Sequence, residues 1–267
     1  MEAVEGVKIR VLGKGSFGVV HLVETITQLY AVKSASYAMS SSLQKEKEIL
    51  KSLVGCPNVV GCFGGFTSVE PDQTMRYNLI LEYASGGTLL DLMNMKGGKI
   101  PECEVKGYTR MIVEGVADIH ERGYVHSDLK PANILVFPSH NNGITLKIAD
   151  FGLAKQWGEK DDTSGLCFRG TEEYMSPESI KGEMSGALDV CSVGCIVVEM
   201  ITGKIPWRYS NLKDLMKKLL KGETPEFPEN MSTDGKDFLA MCFARDPNQR
   251  WSANMLLSHP FIINKVI

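Results

Sequence analysis

A chain of 267 residues with a net charge of −3 is long enough to bury a sizeable core, and it has no global basic footprint of the kind that nucleic acid or an anionic membrane surface would select. Its apolar fraction of 43% and charged fraction of 23% are those of an ordinary soluble globular protein. No run reaches about eighteen uninterrupted apolar residues, and the opening MEAVEGVKIR lacks a signal-peptide core, so neither a membrane span nor a secretory leader is expected.

Residues 1–83 alternate short apolar runs with glycines and turns. Val7 to Leu12, Val19 to Glu24 and Leu29 to Val32 read as strands. SSLQKEKEILKSL, Ser41 to Leu53, carries Leu43, Ile49, Leu50 and Leu53 and reads as one amphipathic helix behind a serine cap. NLILEY, Asn78 to Tyr83, is a further strand, and ASGG after it breaks the chain. Glu104 to Arg122 then shows a helical stripe of Tyr108, Met111, Ile112, Val116 and Ile119. ILVFPSHNNGITLKI reads as a hairpin around an Asn142-Gly143 turn. Asp189 to Thr202 is almost wholly apolar, which predicts a helix buried on most sides, and Lys213 to Leu220 is another amphipathic helix. With no repeat and no low-complexity linker, the pattern is α+β in a single domain. It predicts a β-rich lobe of residues 1–83 with one main helix, a hinge at about 82–87, and a mostly helical lobe over 88–267.

The seven cysteines, Cys56, Cys62, Cys103, Cys167, Cys191, Cys195 and Cys242, are scattered, odd in number and form no CxxC pair. They read as reduced intracellular thiols, which points to the cytoplasm, with the nucleus as a further location. Cys191 and Cys195 lie in an apolar helical run, where packing is the better reading than metal binding.

Three motifs carry chemistry. GKGSFG, Gly13 to Gly18, lies between two predicted strands, where glycines let the backbone approach phosphates; a plain glycine-rich hairpin has the same string. The strand that follows argues against a dinucleotide-binding βαβ unit. YAVK, Tyr30 to Lys33, places a lysine at a strand end. Such a lysine is usually solvated, but beside a glycine-rich loop it can reach phosphates if a carboxylate fixes it. Glu46 is the candidate partner and Glu48 the competitor. HSDLKPAN, His126 to Asn133, followed by Asp150-Phe151-Gly152, supplies a carboxylate to orient a hydroxyl, then an amide and a second carboxylate suited to magnesium. Phosphoryl transfer needs this combination of positioning and charge neutralisation.

Taken together, these residues resemble the eukaryotic protein kinase family from about Gly6 to Ile262. The resemblance implies the bilobal kinase fold and an ATP-dependent activity on protein hydroxyls. It implies that Leu12, Gly13, Lys14, Gly15, Ser16, Phe17, Gly18, Val19 and Val20 cover the nucleotide. Lys33 and Glu46 would form an ion pair, Asp128 would be the catalytic base, and Lys130 would stabilise the transferring phosphoryl. Asn133 and Asp150 would hold Mg²⁺, with Mn²⁺ as the alternative. Val20, Ala31 and Leu135 would sandwich adenine, Leu81 would be the gatekeeper, and backbone groups of Glu82 and Ala84 would bind the adenine edge. SPE at Ser176 to Glu178 matches the family's APE segment, which implies a Glu178–Arg250 pair and a bracing role for Asp189.

Lys130 in DLKPAN with Gly170-Thr171 is the serine/threonine pattern. GCIVVEMITGKIPW and RGTEEYMSPES resemble plant mitogen-activated protein kinase kinase kinases, which implies a mitogen-activated protein kinase kinase as substrate. Alternatives are a serine/threonine kinase of another subgroup and a pseudokinase acting as a scaffold; the complete set Lys33, Glu46, Asp128, Asn133 and Asp150 argues against the latter. The kinase pattern fills the chain, so no regulatory extension is expected. The sequence departs from the family in three places. Ser127 replaces the arginine before the catalytic aspartate, Cys167 occupies the usual phosphothreonine position, and Cys191 replaces a tryptophan. The expectation is a loop ordered without phosphate, through contacts from Lys155, Leu166, Phe168 and Arg169. Thr163, Ser164 and Ser176 are the candidate modification sites, and Thr171 a buttress for Asp128 and Lys130.

Overall fold

The computed structural model describes residues 6–15, 18–139, 143–159 and 170–263. Strands β1 (Val7–Gly15), β2 (Gly18–Glu24) and β3 (Leu29–Ser36) are followed by helix α1 (Ser41–Ser52), then β4 (Cys62–Val69) and β5 (Met75–Glu82). They form one antiparallel sheet in the order β1-β2-β3-β5-β4. Leu22, Ala31, Val32, Leu79 and Ile80 are buried in it, as β-branched and leucine side chains on a covered sheet should be. β3 runs past Val32 because Ser34, Ala35 and Ser36 find partners in Asn78, Tyr77 and Arg76 of β5. Lys33 is therefore an interior strand residue rather than a terminal one.

α1 packs on β4 and β5 with Leu43, Ile49 and Leu50 buried. The expected serine cap is not made. The Ser40 hydroxyl donates to Tyr37 O at 2.7 Å and accepts from the Gln44 side chain at 2.8 Å, so the hydroxyl is committed to a turn and a side chain rather than to a helix N–H. β4 is the strand the sequence concealed. Gly64 and Gly65 interrupt its alternation, and Gly65 is needed because a Cβ there would lie 2.6 Å from the Tyr77 hydroxyl.

Past Glu82 the chain crosses to α2 (Leu89–Met95), started by a reciprocal capping box between Thr88 and Asp91. Then follow α3 (Glu102–Glu121), β6 (Tyr124–Val125), the hairpin β7 (Ile134–Pro138) and β8 (Ile144–Ile148), and β9 (Lys155–Gln156). The hairpin is the expected one; Asn142 of its turn lies outside the described residues. α4 (Gly186–Thr202), α5 (Leu212–Lys221), α6 (Thr233–Cys242), α7 (Ala253–Leu256) and α8 (Pro260–Ile263) complete the helical part. α4 is buried nearly all round, as its unbroken apolar composition requires. Gly194 lets it approach α6, since a Cβ there would lie 2.8 Å from Cys242 Cβ. Cys191, Cys195 and Cys242 are free and buried at this contact, which is the packing role expected for the first two.

One apolar cluster runs from Ala31 and Leu81 in the sheet through Ile134 and Ile148 to Ile196 and Phe238. The architecture is the expected bilobal α+β fold, and the connection near Glu82 and the hairpin β7–β8 lie between its halves.

Candidate active site

Lys33, buried in the sheet, finds both its carboxylates within hydrogen-bond reach. Its ammonium is 2.7 Å from Glu46 Oε2 on α1 and 2.8 Å from Asp150 Oδ1 beyond β8. Glu46 is fully buried, and its other oxygen accepts the Phe151 N–H at 3.2 Å. The competitor Glu48 lies on the outer face, exposed and paired with Lys47 and Lys51. Two residues along a helix turn a side chain by about 200°, which separates the two candidates.

Charge within this triad is unevenly shared. Burial works against the Lys33 ammonium, but Glu46 and Asp150 outweigh it and hold its pKa above the ordinary lysine range. Burial also opposes ionisation of Asp150, yet Lys33 holds that carboxyl below its usual range. Glu46 is pushed up by burial and by the nearby Asp150, with Lys33 only partly compensating. Two carboxylates converging on one ammonium leave the site with excess negative charge, the condition a divalent cation relieves.

Asp128 lies in a second network. Thr171 Oγ1 donates to Asp128 Oδ1 at 2.8 Å, while Lys130 Nζ and Asn133 Nδ2 reach Asp128 Oδ2 at 2.8 and 3.1 Å. Lys130 also donates to Thr171 Oγ1 at 2.7 Å, so Thr171 is the buttress expected of it. Asn133 Nδ2 is further committed to Asp128 O at 2.9 Å. Its amide nitrogen is thus directed at the Asp128 loop, and its oxygen is the atom suited to a hard cation.

The loop backbone is held from below. Asp189, buried at the start of α4, accepts the His126 N–H at 2.8 Å and the Ser127 N–H at 2.9 Å. His120 Nε2 lies 2.9 Å from the same carboxylate. The His126 ring bridges to the second network: its Nδ1 accepts the Asp128 N–H at 3.3 Å, so the proton shared with Ala149 O at 3.0 Å belongs to Nε2. Ser127 and Asp150 both hold left-handed backbone, with φ of 68° and 64°, a conformation that costs a non-glycine residue and needs surrounding contacts to persist.

The remaining expected residues fall into two groups. Ala31 and Leu81 are buried and paired across the β3–β5 ladder, and Leu12, Val20 and Leu135 pack partly buried on the same cluster. All five belong to one apolar cluster. In the β1–β2 hairpin, Gly13 pairs with Val20, Lys14 with Val19 and Gly15 with Gly18. Gly13 and Gly15 face open space, so their backbone is accessible to a close ligand, whereas Gly18 serves the fold. It has φ of 126°, and a Cβ there would lie 2.3 Å from Ser34 O. Ser16 and Phe17 lie outside the described residues. Ala84 O accepts the Gly87 N–H at 3.3 Å. The Glu82 side chain accepts the Gly61 N–H and a Lys147 ion pair at 2.7 Å, tying the connection to both halves.

Farther out, Arg250 forms a two-pronged pair with buried Glu178 and donates to Ala187 O and Ala244 O. Ser176, a candidate modification site, is buried with an exposure of 1% beside Ser179, so a modifying enzyme has no access to it in this conformation. Thr163, Ser164, Leu166, Cys167, Phe168 and Arg169 lie outside the described residues; Lys155 is described and buried on β9. Sequence reasoning missed His120, which is 69 residues from Asp189, and missed the Tyr174 hydroxyl on Glu199 at 2.5 Å. No local spacing signals either contact.

Comparison with known proteins agrees with this geometry. A family model described as "Protein kinase domain" matches residues 7–262. Mitogen-activated protein kinase kinase kinase 20 of Arabidopsis thaliana is 42% identical over 88% of this chain and 69% of its own length. Mitogen-activated protein kinase kinase kinase 18 of the same plant is 40% identical over 96% of this chain and 77% of its own. Mitogen-activated protein kinase kinase kinase A of Dictyostelium discoideum is 36% identical over 96% of this chain and 28% of its own.

Proposed function

This chain belongs to the protein kinase family, and from that premise we propose how its residues divide the work. It is a serine/threonine protein kinase of the mitogen-activated protein kinase kinase kinase type, using ATP and a divalent metal on a protein substrate. The cation is Mg²⁺ and the substrate a mitogen-activated protein kinase kinase, modified on serine or threonine. The observation that carries this reading is the Asp128 carboxylate, held by Thr171, Lys130 and Asn133. The Lys130 ion pair and the two neutral donors fix the direction of that carboxylate, which a group that orients a hydroxyl requires.

Bound nucleotide supplies the phosphoryl group, and the cation neutralises its charge. Asn133 and Asp150 offer hard oxygen donors to that cation, in a pocket whose excess negative charge suits it. Gly13 and Gly15 present backbone to the phosphates, and Lys33, fixed by Glu46, contacts them as a point charge. The apolar side chains of Val20, Ala31, Leu81 and Leu135 would hold the adenine, with backbone of Glu82 and Ala84 at its edge. Asp128 would orient the acceptor hydroxyl and take its proton, and Lys130 would offset negative charge as the terminal phosphorus bonds to that oxygen and its bond to the bridging oxygen breaks, releasing ADP. The free buried thiols support a reducing compartment, the cytoplasm and also the nucleus.

The test is transfer from labelled ATP to a panel of catalytically inert mitogen-activated protein kinase kinases, with mass spectrometry locating the phosphate. Metal-dependent modification of activation-loop serines or threonines is expected. ATP binding without transfer to any member or to a generic acceptor protein would make the chain a binding module, and transfer to the generic acceptor alone would place it in another kinase subgroup.

A further inference from the structure

One face of α1 meets the segment after Asp150 at three points. Ser42 Oγ donates to Gly152 O at 3.1 Å, and Glu46 accepts from Phe151 N. Lys45 Nζ lies 2.8 and 3.1 Å from the two carboxylate oxygens of Glu159. Positions 42, 45 and 46 share a face because three or four residues complete about one helical turn.

Glu159 is placed independently of Lys45. Residues 156–159 form a turn in which Glu159 N–H donates to Gln156 O at 3.1 Å and Glu159 Oε2 accepts the Gln156 N–H at 3.2 Å. Gly158, with φ of 81°, supplies the left-handed third position. Trp157 N–H donates to Gly123 O at 2.7 Å, which anchors the turn beyond α3. The carboxylate is thus preorganised on the helical half of the molecule, while the ammonium arrives from the other half on α1.

Resting on the kinase reading, we propose that Lys45 and Glu159 are positioning residues whose ion pair holds α1 at the rotation that delivers Glu46 to Lys33. Lys45 and Glu46 are consecutive, so any rotation or outward tilt of α1 that breaks the first pair carries Glu46 away from Lys33. The two side chains are 41% and 40% exposed, so the pair adds little to global stability. Its leverage is on a conformational equilibrium, where a small differential interaction changes populations several-fold.

The test compares wild type, Lys45→Glu, Glu159→Lys and the double swap for transfer rate, substrate KM and thermal midpoint. Each single reversal should lower kcat by about fivefold, the effect of a surface pair of this kind. Protein-substrate KM and thermal midpoint should not change. The double swap should run faster than Glu159→Lys alone, since opposite charges again face each other while both variants lack the acceptor for Gln156. Raising ionic strength should slow wild type toward Glu159→Gln, which removes the charge but keeps an acceptor for Gln156. That milder variant also serves if a reversal fails to fold. An active wild type with singles at its own rate, or a double swap no faster than Glu159→Lys, overturns the inference. A wild type that transfers nothing overturns the kinase reading itself, and the inference with it.

Discussion

The Asp189 carboxylate accepts the Ser127 N–H at 2.9 Å while Ser127 holds a φ of 68°. A buried acid in one helix thus stabilises a strained residue in a loop 62 positions earlier, directly before Asp128. Removing the acid as Asp189→Ala leaves two backbone N–H groups and His120 without their acceptor. We expect a loss of roughly 3 kcal/mol or more in denaturant unfolding, because buried donors to a charged group become orphaned. The folded fraction should also lose transfer activity. A near-wild-type midpoint with full activity would contradict the bracing role.

The same carboxyl sets an acid dependence. Burial pushes its pKa up, but His120 and the His126 N–H outweigh burial and hold it below the ordinary aspartate range. A depressed folded-state pKa contributes stability that is present above the unfolded value of about 3.9 and is lost as pH falls through the folded value. The stability difference between wild type and Asp189→Asn should therefore narrow as pH falls below about 4. Urea titrations at several pH values measure it. A gap that widens below about pH 4 would reverse the sign and refute the assignment.

Asp128 and Lys33 should separate kinetically. Asp128→Asn is expected to reduce kcat by about 10²–10⁴-fold while leaving nucleotide affinity near wild type, because it alters hydroxyl orientation and proton acceptance. Lys33→Met should weaken phosphate contacts and strand Glu46 beside Asp150 without their shared ammonium. Paired measurements of transfer rate and nucleotide binding distinguish the two. Retained transfer in Asp128→Asn would remove it as the base.

Arg250→Ala should destabilise the helical half by about 3–5 kcal/mol, the cost of leaving buried Glu178 uncompensated. Adding Glu178→Ala should recover part of the loss, as a double-mutant cycle in unfolding would record. Strict additivity would show that the two side chains do not act as a pair.

Activity without activation-loop phosphate is expected from Ser127, which offers no cation to a phosphate, and from Cys167, which cannot carry one. Protein treated with phosphatase, and shown by mass spectrometry to be unmodified between Asp150 and Glu178, should transfer at a substantial rate. An inert form revived by phosphate at Thr163 or Ser164 would defeat this expectation.

Local chemistry wrote much of the molecule into its sequence. The α4 segment could only be a buried helix, since its apolar residues leave no face for water. Asp128, Lys130 and Asn133 lie within one short loop, so their convergence follows from chain proximity. α2 was missed because its signal is brief, although Thr88 and Asp91 form a legible capping box. β4 was missed because glycines break its alternation and the ladder to β5 alone makes it a strand.

What the sequence could not decide is which distant groups share one charge. The sequence offers Glu46 over Glu48 as the partner of Lys33, but that Asp150 meets the same ammonium follows only from how α1 and the segment after β8 pack on the sheet. His120 reaches Asp189, and Lys45 reaches Glu159, across separations of 69 and 114 residues. The physical reason is that periodicity and motif spacing report which face of an element is apolar, whereas the meeting of charges depends on how those faces are packed against one another in three dimensions.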